Sequence, residues 1–329
     1  MANQAKILLT RAFQPIEELY GLEVGVETSV ELLSWDFENF REFVSYETMQ
    51  SAAAVLLQFE GEVLEPSNPQ IQRMQDVLEA RTGKTTWVPN RSGNEEINWD
   101  VEGDLMRNKG RLLPAMLIMN PKTSSSTAVE LLGFGRALGS GRVSEQEYYD
   151  FIIKRFQYPH PAYQANWEEW RRREGILFPF LFLLQLLDAL YKLNVNEAYL
   201  TKSEILNYAY VCPSHTHAPS LANEILCDRS QDIELVSLTL VNGVADKINR
   251  KINDITAFLC MSGYTYIRSQ DSGIALNLIG RHPAEKTFFH LERNLTNHQK
   301  INQLTETIRP ARFGLLSFSQ ASTASDLRI

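Results

Sequence analysis

Five polar side chains crowd one short stretch of this chain: Lys247, Asn249, Arg250, Lys251 and Asn253. Lysine and arginine neutralise phosphates. Arginine also grips the guanine edge in bidentate fashion, and asparagine does the same for adenine. The five interleave with Val244, Ile248, Ile252, Ile255 and Leu259, spaced as the apolar stripe of one helix over residues 241–262. That spacing predicts a recognition helix with its polar groups turned away from the core. An ordinary amphipathic helix also has a solvated polar face, so the pattern alone permits both readings. Arg107, Lys109 and Arg111 repeat the theme ahead of Leu112, Leu113, Met116, Leu117 and Ile118, with Pro114 as a kink. Arg268 adds a basic side chain within a hairpin expected over 264–279.

Other constellations point less clearly to chemistry. Cys212, His215, His217 and Cys227 are zinc-ligand types, but their spacing matches no standard finger, and an exposed turn explains them as simply. No metal or other cofactor is expected. Arg171, Arg172 and Arg173 follow Trp167 and Trp170, where they could clamp phosphates, but Glu168, Glu169 and Glu174 balance their charge. Gly133 and Gly135 lack the third glycine of a nucleotide cradle. A metal-dependent nuclease needs carboxylates to hold a divalent cation and a lysine near the attacking water. Around Glu79 and Lys84 the spacing is wrong for this, and Asp100 and Glu102 sit in a polar stretch.

The elements that must position these residues are legible in outline. Residues 30–59 read as two acidic amphipathic helices, and 70–81 as a third that ends at Gly83. A helix is expected over 104–119, a β-prone run over 126–132, and a tight connection over 133–139. Ser144 with Glu147, and Thr201 with Glu204, have capping-box spacing. Between them lies a strongly apolar helix at 179–193, and 211–219 reads as a loop.

Composition bounds the class. The chain has 329 residues, 44% of them hydrophobic and 22% charged, as in ordinary globular proteins. Three cysteines make no disulfide framework, and the apolar run at 176–187 is too short to cross a bilayer. A cytoplasmic protein without membrane contact is expected. The net charge of −8 is unusual for a DNA binder. It comes from residues 1–100, where 17 acidic residues face 7 basic ones; the rest of the chain is close to neutral.

Several segments taken together resemble a known family. They are residues 112–119 leading into Val129-Glu130-Leu131-Leu132-Gly133-Phe134-Gly135-Arg136-Ala137-Leu138, then 141–148 and 156–161, and finally 178–184 ahead of 199–205. In order and spacing they resemble the DNA-recognition region of the AlwI-like Type IIS restriction endonucleases, related in plan to the recognition part of FokI. The resemblance covers roughly residues 105–280. It implies two winged-helix-like units, each with one helix in the major groove and a hairpin against the backbone or minor groove. In that family a separate cleavage domain follows, and about fifty residues after the second hairpin are too few for one.

The resulting expectation is an α+β, mainly helical chain. An acidic helical segment (1–100) precedes two tandem winged-helix-like units (101–165 and 166–305) and a tail (306–329). Its function would be sequence-specific recognition of double-stranded DNA within a restriction or anti-phage defence system, with no catalytic centre in this chain. A nuclease or other defence subunit, docked through residues 1–100, would supply magnesium-dependent cleavage. Two alternatives stand beside this reading: a winged-helix adaptor that binds protein, and a nicking endonuclease with an unrecognised metal site.

Overall fold

The computed structural model describes residues 44–63, 69–83, 113, 116–120, 128–156, 178–210, 218–235, 245–269, 271 and 273–276. They fall into two compact units, one between residues 44 and 156 and the other between 178 and 276. Among the described residues the chain is mainly helical, with one small antiparallel sheet.

In the N-terminal unit, α1 (Tyr46–Gln58) starts where the Ser45 side chain accepts a hydrogen bond from the Thr48 amide. It is one helix within the span read as two; residues 30–43 lie outside the described residues. Its buried face carries Met49, Ala52, Ala53, Val55 and Leu56, and α2 (Pro69–Thr82) packs on it. Residues 133–139, read as a tight connection, form instead a short helix, α3 (Gly133–Gly139). Glycine disfavours helix, so packing decides this element. A β-carbon on Gly139 would lie 2.6 Å from the Ala53 carbonyl oxygen, so only glycine lets α3 approach α1 this closely.

The helix expected up to residue 119 is not continuous. Residues 116–118 form a turn, with Leu117 at a φ of 57°. Among the described residues, the β-prone run contributes two isolated bridges, Val63 to Ala128 and Met119 to Leu131. The capping box of Ser144 and Glu147 opens α4 (Glu145–Arg155), as its spacing predicts. Two tyrosines tie α4 to the start of α1: the Tyr148 hydroxyl donates to the Val44 carbonyl, and the Tyr46 hydroxyl donates to the Val143 carbonyl, both at 2.9 Å. Phe134 stacks on Phe151 with ring centroids 3.9 Å apart.

The C-terminal unit is built on α5 (Pro179–Leu193), whose first-turn proline loses no hydrogen bond there. It is buried on nearly every side, from Phe180 to Leu190. A 3-10 turn (Val195–Glu197) leads to β1 (Tyr199–Leu200). The second capping box, Thr201 with Glu204, opens α6 (Lys202–Glu204), which continues into a π-helical turn (Ile205–Ala209). Then comes α7 (Ala218–Ser230), which packs on α5. Periodicity does not reveal α7, because its buried stripe is only Ala218, Ala222, Ile225 and Asp228. Last come α8 (Ala245–Met261), β2 (Thr265–Ile267) and β3 (Ile274–Leu276). The hairpin β2–β3 matches the sequence reading. β3 is the central strand, in the order β1–β3–β2, and pairs Ala275 with both Tyr199 and Tyr266. Gly273 enters β3 against β1, where a β-carbon would come within 2.1 Å of the Leu200 carbonyl oxygen.

Candidate nucleic-acid interface

The polar stretch singled out in the sequence lies on α8, which packs on β2. Its polar face is smaller than the spacing suggested. Lys251 is only 4% exposed, and Asp254, Thr256 and Cys260 are buried along with Ile252, Ile255, Phe258 and Leu259. Asn249 and Asn253 are half-buried. Lys251 therefore meets a phosphate only if the packing around it opens. Lys247 and Arg250 belong to the first half of α8, and their side chains lie outside the described residues. So do Arg107, Lys109 and Arg111, the Trp167 to Arg173 stretch, and Cys212, His215 and His217. Cys227 is exposed on α7, where its Sγ accepts from the Gln231 amide at 3.0 Å. Among the described residues no three His, Cys, Asp or Glu side chains group as a metal site.

Arg268 belongs to a cluster that the sequence did not disclose. It follows β2, and its guanidinium carbon sits 3.5 Å from the centroid of the Tyr199 ring on β1. The Arg229 guanidinium carbon, from the end of α7, sits 3.8 Å from the same centroid. Two guanidinium groups this close to one centroid cannot share a face, so Tyr199 is clasped between them. Each contact attracts a cation to the ring's electron-rich face, by about 0.5–2 kcal/mol. Thirty or more residues separate the partners, and no local motif encodes such contacts.

The two cations are both matched by carboxylates. Arg229 donates to both oxygens of buried Glu204, at 2.7 and 2.9 Å, and to Glu197 at 2.7 Å. It also donates to the backbone carbonyls of Glu197 and Tyr199. Burial works against its charge, but the bonds to Glu204 and Glu197 outweigh it and hold the guanidinium above its ordinary pKa. Arg268 pairs with Asp271 at 3.4 Å across the hairpin turn. Nearby, the Tyr208 hydroxyl donates to buried Asp228 at 2.5 Å; burial first, and this bond second, push its pKa up.

Beside this stack opens a cleft of about 330 Å³, lined by Val195, Asn196, Tyr199, Tyr266, Arg268 and Ser269 among others. Tyr266 is 38% exposed there.

No family model matches the chain, and no curated protein matches it either. Among solved structures it is similar to the BpuJ1 endonuclease binding domain, crystallised in complex with pyrene- and phenanthrene-modified DNA. The two share 13% sequence identity at a TM-score of 0.53, over 83% of this chain and 91% of that one. The likeness is one of fold. No helix among the described residues is long and apolar enough to cross a membrane.

Proposed function

We propose that this chain recognises a specific sequence of double-stranded DNA, as the recognition subunit of a restriction or anti-phage defence system whose cleavage is supplied by a partner. The observation that carries this reading is the likeness in fold, over most of both chains, to an endonuclease binding domain crystallised on DNA. The C-terminal unit supports it. The order helix, strand, helices, hairpin, with its sheet ordered β1–β3–β2, is compatible with a winged helix. On this reading α8 enters the major groove by its first half, with Lys247 and Arg250 one turn apart and Asn249 and Asn253 on the neighbouring faces. Arg107, Lys109 and Arg111 would serve the N-terminal unit in the same way. Arg268, beside the hairpin turn, would lie on the face that the hairpin turns to the DNA.

The test is fluorescence anisotropy with labelled genomic duplexes at two salt concentrations. Binding is expected to fall steeply as salt rises, because each phosphate neutralised releases counterions. The double substitution Lys247→Ala, Arg250→Ala is expected to weaken it at least about tenfold at fixed salt. Undiminished binding by the double variant removes α8 from the interface. A chain that binds no duplex at either salt overturns the reading and leaves the protein-binding adaptor in its place.

A further inference from the structure

From the geometry of the cleft beside the hairpin, we propose that it holds one unstacked nucleobase of the bound DNA, freed at a strand end or a kinked step. This rests on the DNA-binding reading above and goes one step further, to a site on the sheet rather than on a helix. The volume, about 330 Å³, falls at the small end of the range for sites that enclose a small organic group, roughly 300–1,000 Å³. Its lining supplies what a base needs. Tyr266 presents an exposed ring, and Arg268 presents a planar guanidinium held in place over Tyr199. Bases freed from their stack settle on aromatic rings and on guanidinium planes alike. The amide of exposed Asn196 and the hydroxyl of exposed Ser269 can donate to and accept from a base edge.

Charge decides between the base and its phosphate as the group recognised. Arg229 is matched by Glu204 and Glu197, and Arg268 by Asp271. A phosphate entering the cleft would meet cations already shared with carboxylates, whereas a neutral planar ring loses nothing by that balance. The backbone of the bound nucleotide therefore stays at the open mouth, and the ring goes in.

The experiment uses the full chain and one labelled mixed-sequence oligonucleotide, titrated both as a duplex and as its single strand. The single strand is expected to bind. Tyr266→Ala is expected to weaken that binding at least about fivefold, the low end for one base stacked on a protein ring. Tyr266→Phe keeps the ring and is expected to stay within about twofold of the parent chain. Asn196→Ala, on an exposed turn, tests the edge contact should Tyr266→Ala fail to fold. In the unsubstituted chain, a single strand carrying 5-bromouracil is expected to cross-link to Tyr266 on irradiation. Duplex binding without single-strand binding, or single-strand binding indifferent to Tyr266→Ala and Asn196→Ala with cross-links elsewhere, overturns the cleft and leaves the duplex reading intact. Failure of both titrations overturns the duplex reading itself.

Discussion

Arg136 in the N-terminal unit and Arg229 in the C-terminal unit both clasp a glutamate, yet the two pairs belong to different physical regimes. Arg136 bonds Glu60 at 2.5 Å and 2.9 Å, but its side chain is 47% exposed. Water screens that pair and competes for it, and such surface pairs contribute about 0–1 kcal/mol. Arg229 is 16% exposed, and its Glu204 partner 5%. Its five hydrogen bonds go to two carboxylates and two carbonyls around β1. The N-terminal unit is thus held by packed rings and small residues, with charge as an accessory. The C-terminal unit has a buried ionic clasp that joins α7, α6 and the sheet, and the candidate cleft lies against that clasp.

The largest effect follows from this contrast. Arg229→Ala leaves Glu204 buried without its cation, which is expected to cost about 3–5 kcal/mol. Arg136→Ala is expected to cost about 1 kcal/mol or less. Urea melts of the two variants measure the difference. Equal losses would mean that burial does not separate the two pairs, and the comparison would fail.

A second pair of substitutions sharpens it. Gly139→Ala forces a methyl against the Ala53 carbonyl, and Gly273→Ala forces one against the Leu200 carbonyl. Both neighbours are backbone, so neither can swing aside, and each change is expected to cost about 1–3 kcal/mol through overpacking. The sites of damage differ. Gly139→Ala should loosen α1 from α3, while Gly273→Ala should loosen β1 from β3 and release the clasp on Tyr199. Amide hydrogen exchange distinguishes them: faster exchange confined to the N-terminal unit in the first variant and to the sheet in the second. Uniform loss across the chain in both would contradict that assignment.

How much of this was legible beforehand depended on whether the signal was local. The two capping boxes, α5, the length of α8 and the β2–β3 hairpin were all readable, because spacing over a few residues encodes them. The helix α3 was not, since Gly133, Gly135 and Gly139 are turn residues by propensity and only contact with α1 makes them helical. Nor was α7, whose buried stripe is two alanines, an isoleucine and an aspartate. Lys251 misleads in the other direction: its charge reads as solvated, yet its place three residues after Ile248 and four before Ile255 puts it on the apolar stripe, and it lies inside. Of the candidate site, Arg268 is legible from its place in the hairpin. Its partners Tyr199 and Arg229 converge on it from segments distant in sequence. A shared ring between two arginines leaves no periodic trace.

The smallest effects come from the tyrosines, which carry the comparison into pH. Tyr148 in the N-terminal unit is held well above its ordinary pKa by burial, and so is Tyr149. Tyr208 in the C-terminal unit is raised by burial first and then by its bond to Asp228. A tyrosine is neutral when protonated, so a raised value means that the folded state holds the proton more tightly than the unfolded chain does. The stability that goes with it is complete below about pH 10, the unfolded value, and is lost as pH rises from there toward the folded value. Tyr148→Phe leaves the Val44 carbonyl without its donor and is expected to cost about 1 kcal/mol at neutral pH. It should also flatten the alkaline decline, because one titrating group is gone. Asp228→Asn acts on the other unit by a different route. It removes the carboxylate that raises Tyr208, lowers the folded value toward 10, and so makes the alkaline decline shallower while the ring stays in place. Thermal melts from pH 8 to pH 12, followed alongside tyrosinate absorbance, read both changes. An alkaline slope unchanged by Asp228→Asn would show that burial dominates at Tyr208, as it does at Tyr148, and this difference between the units would disappear.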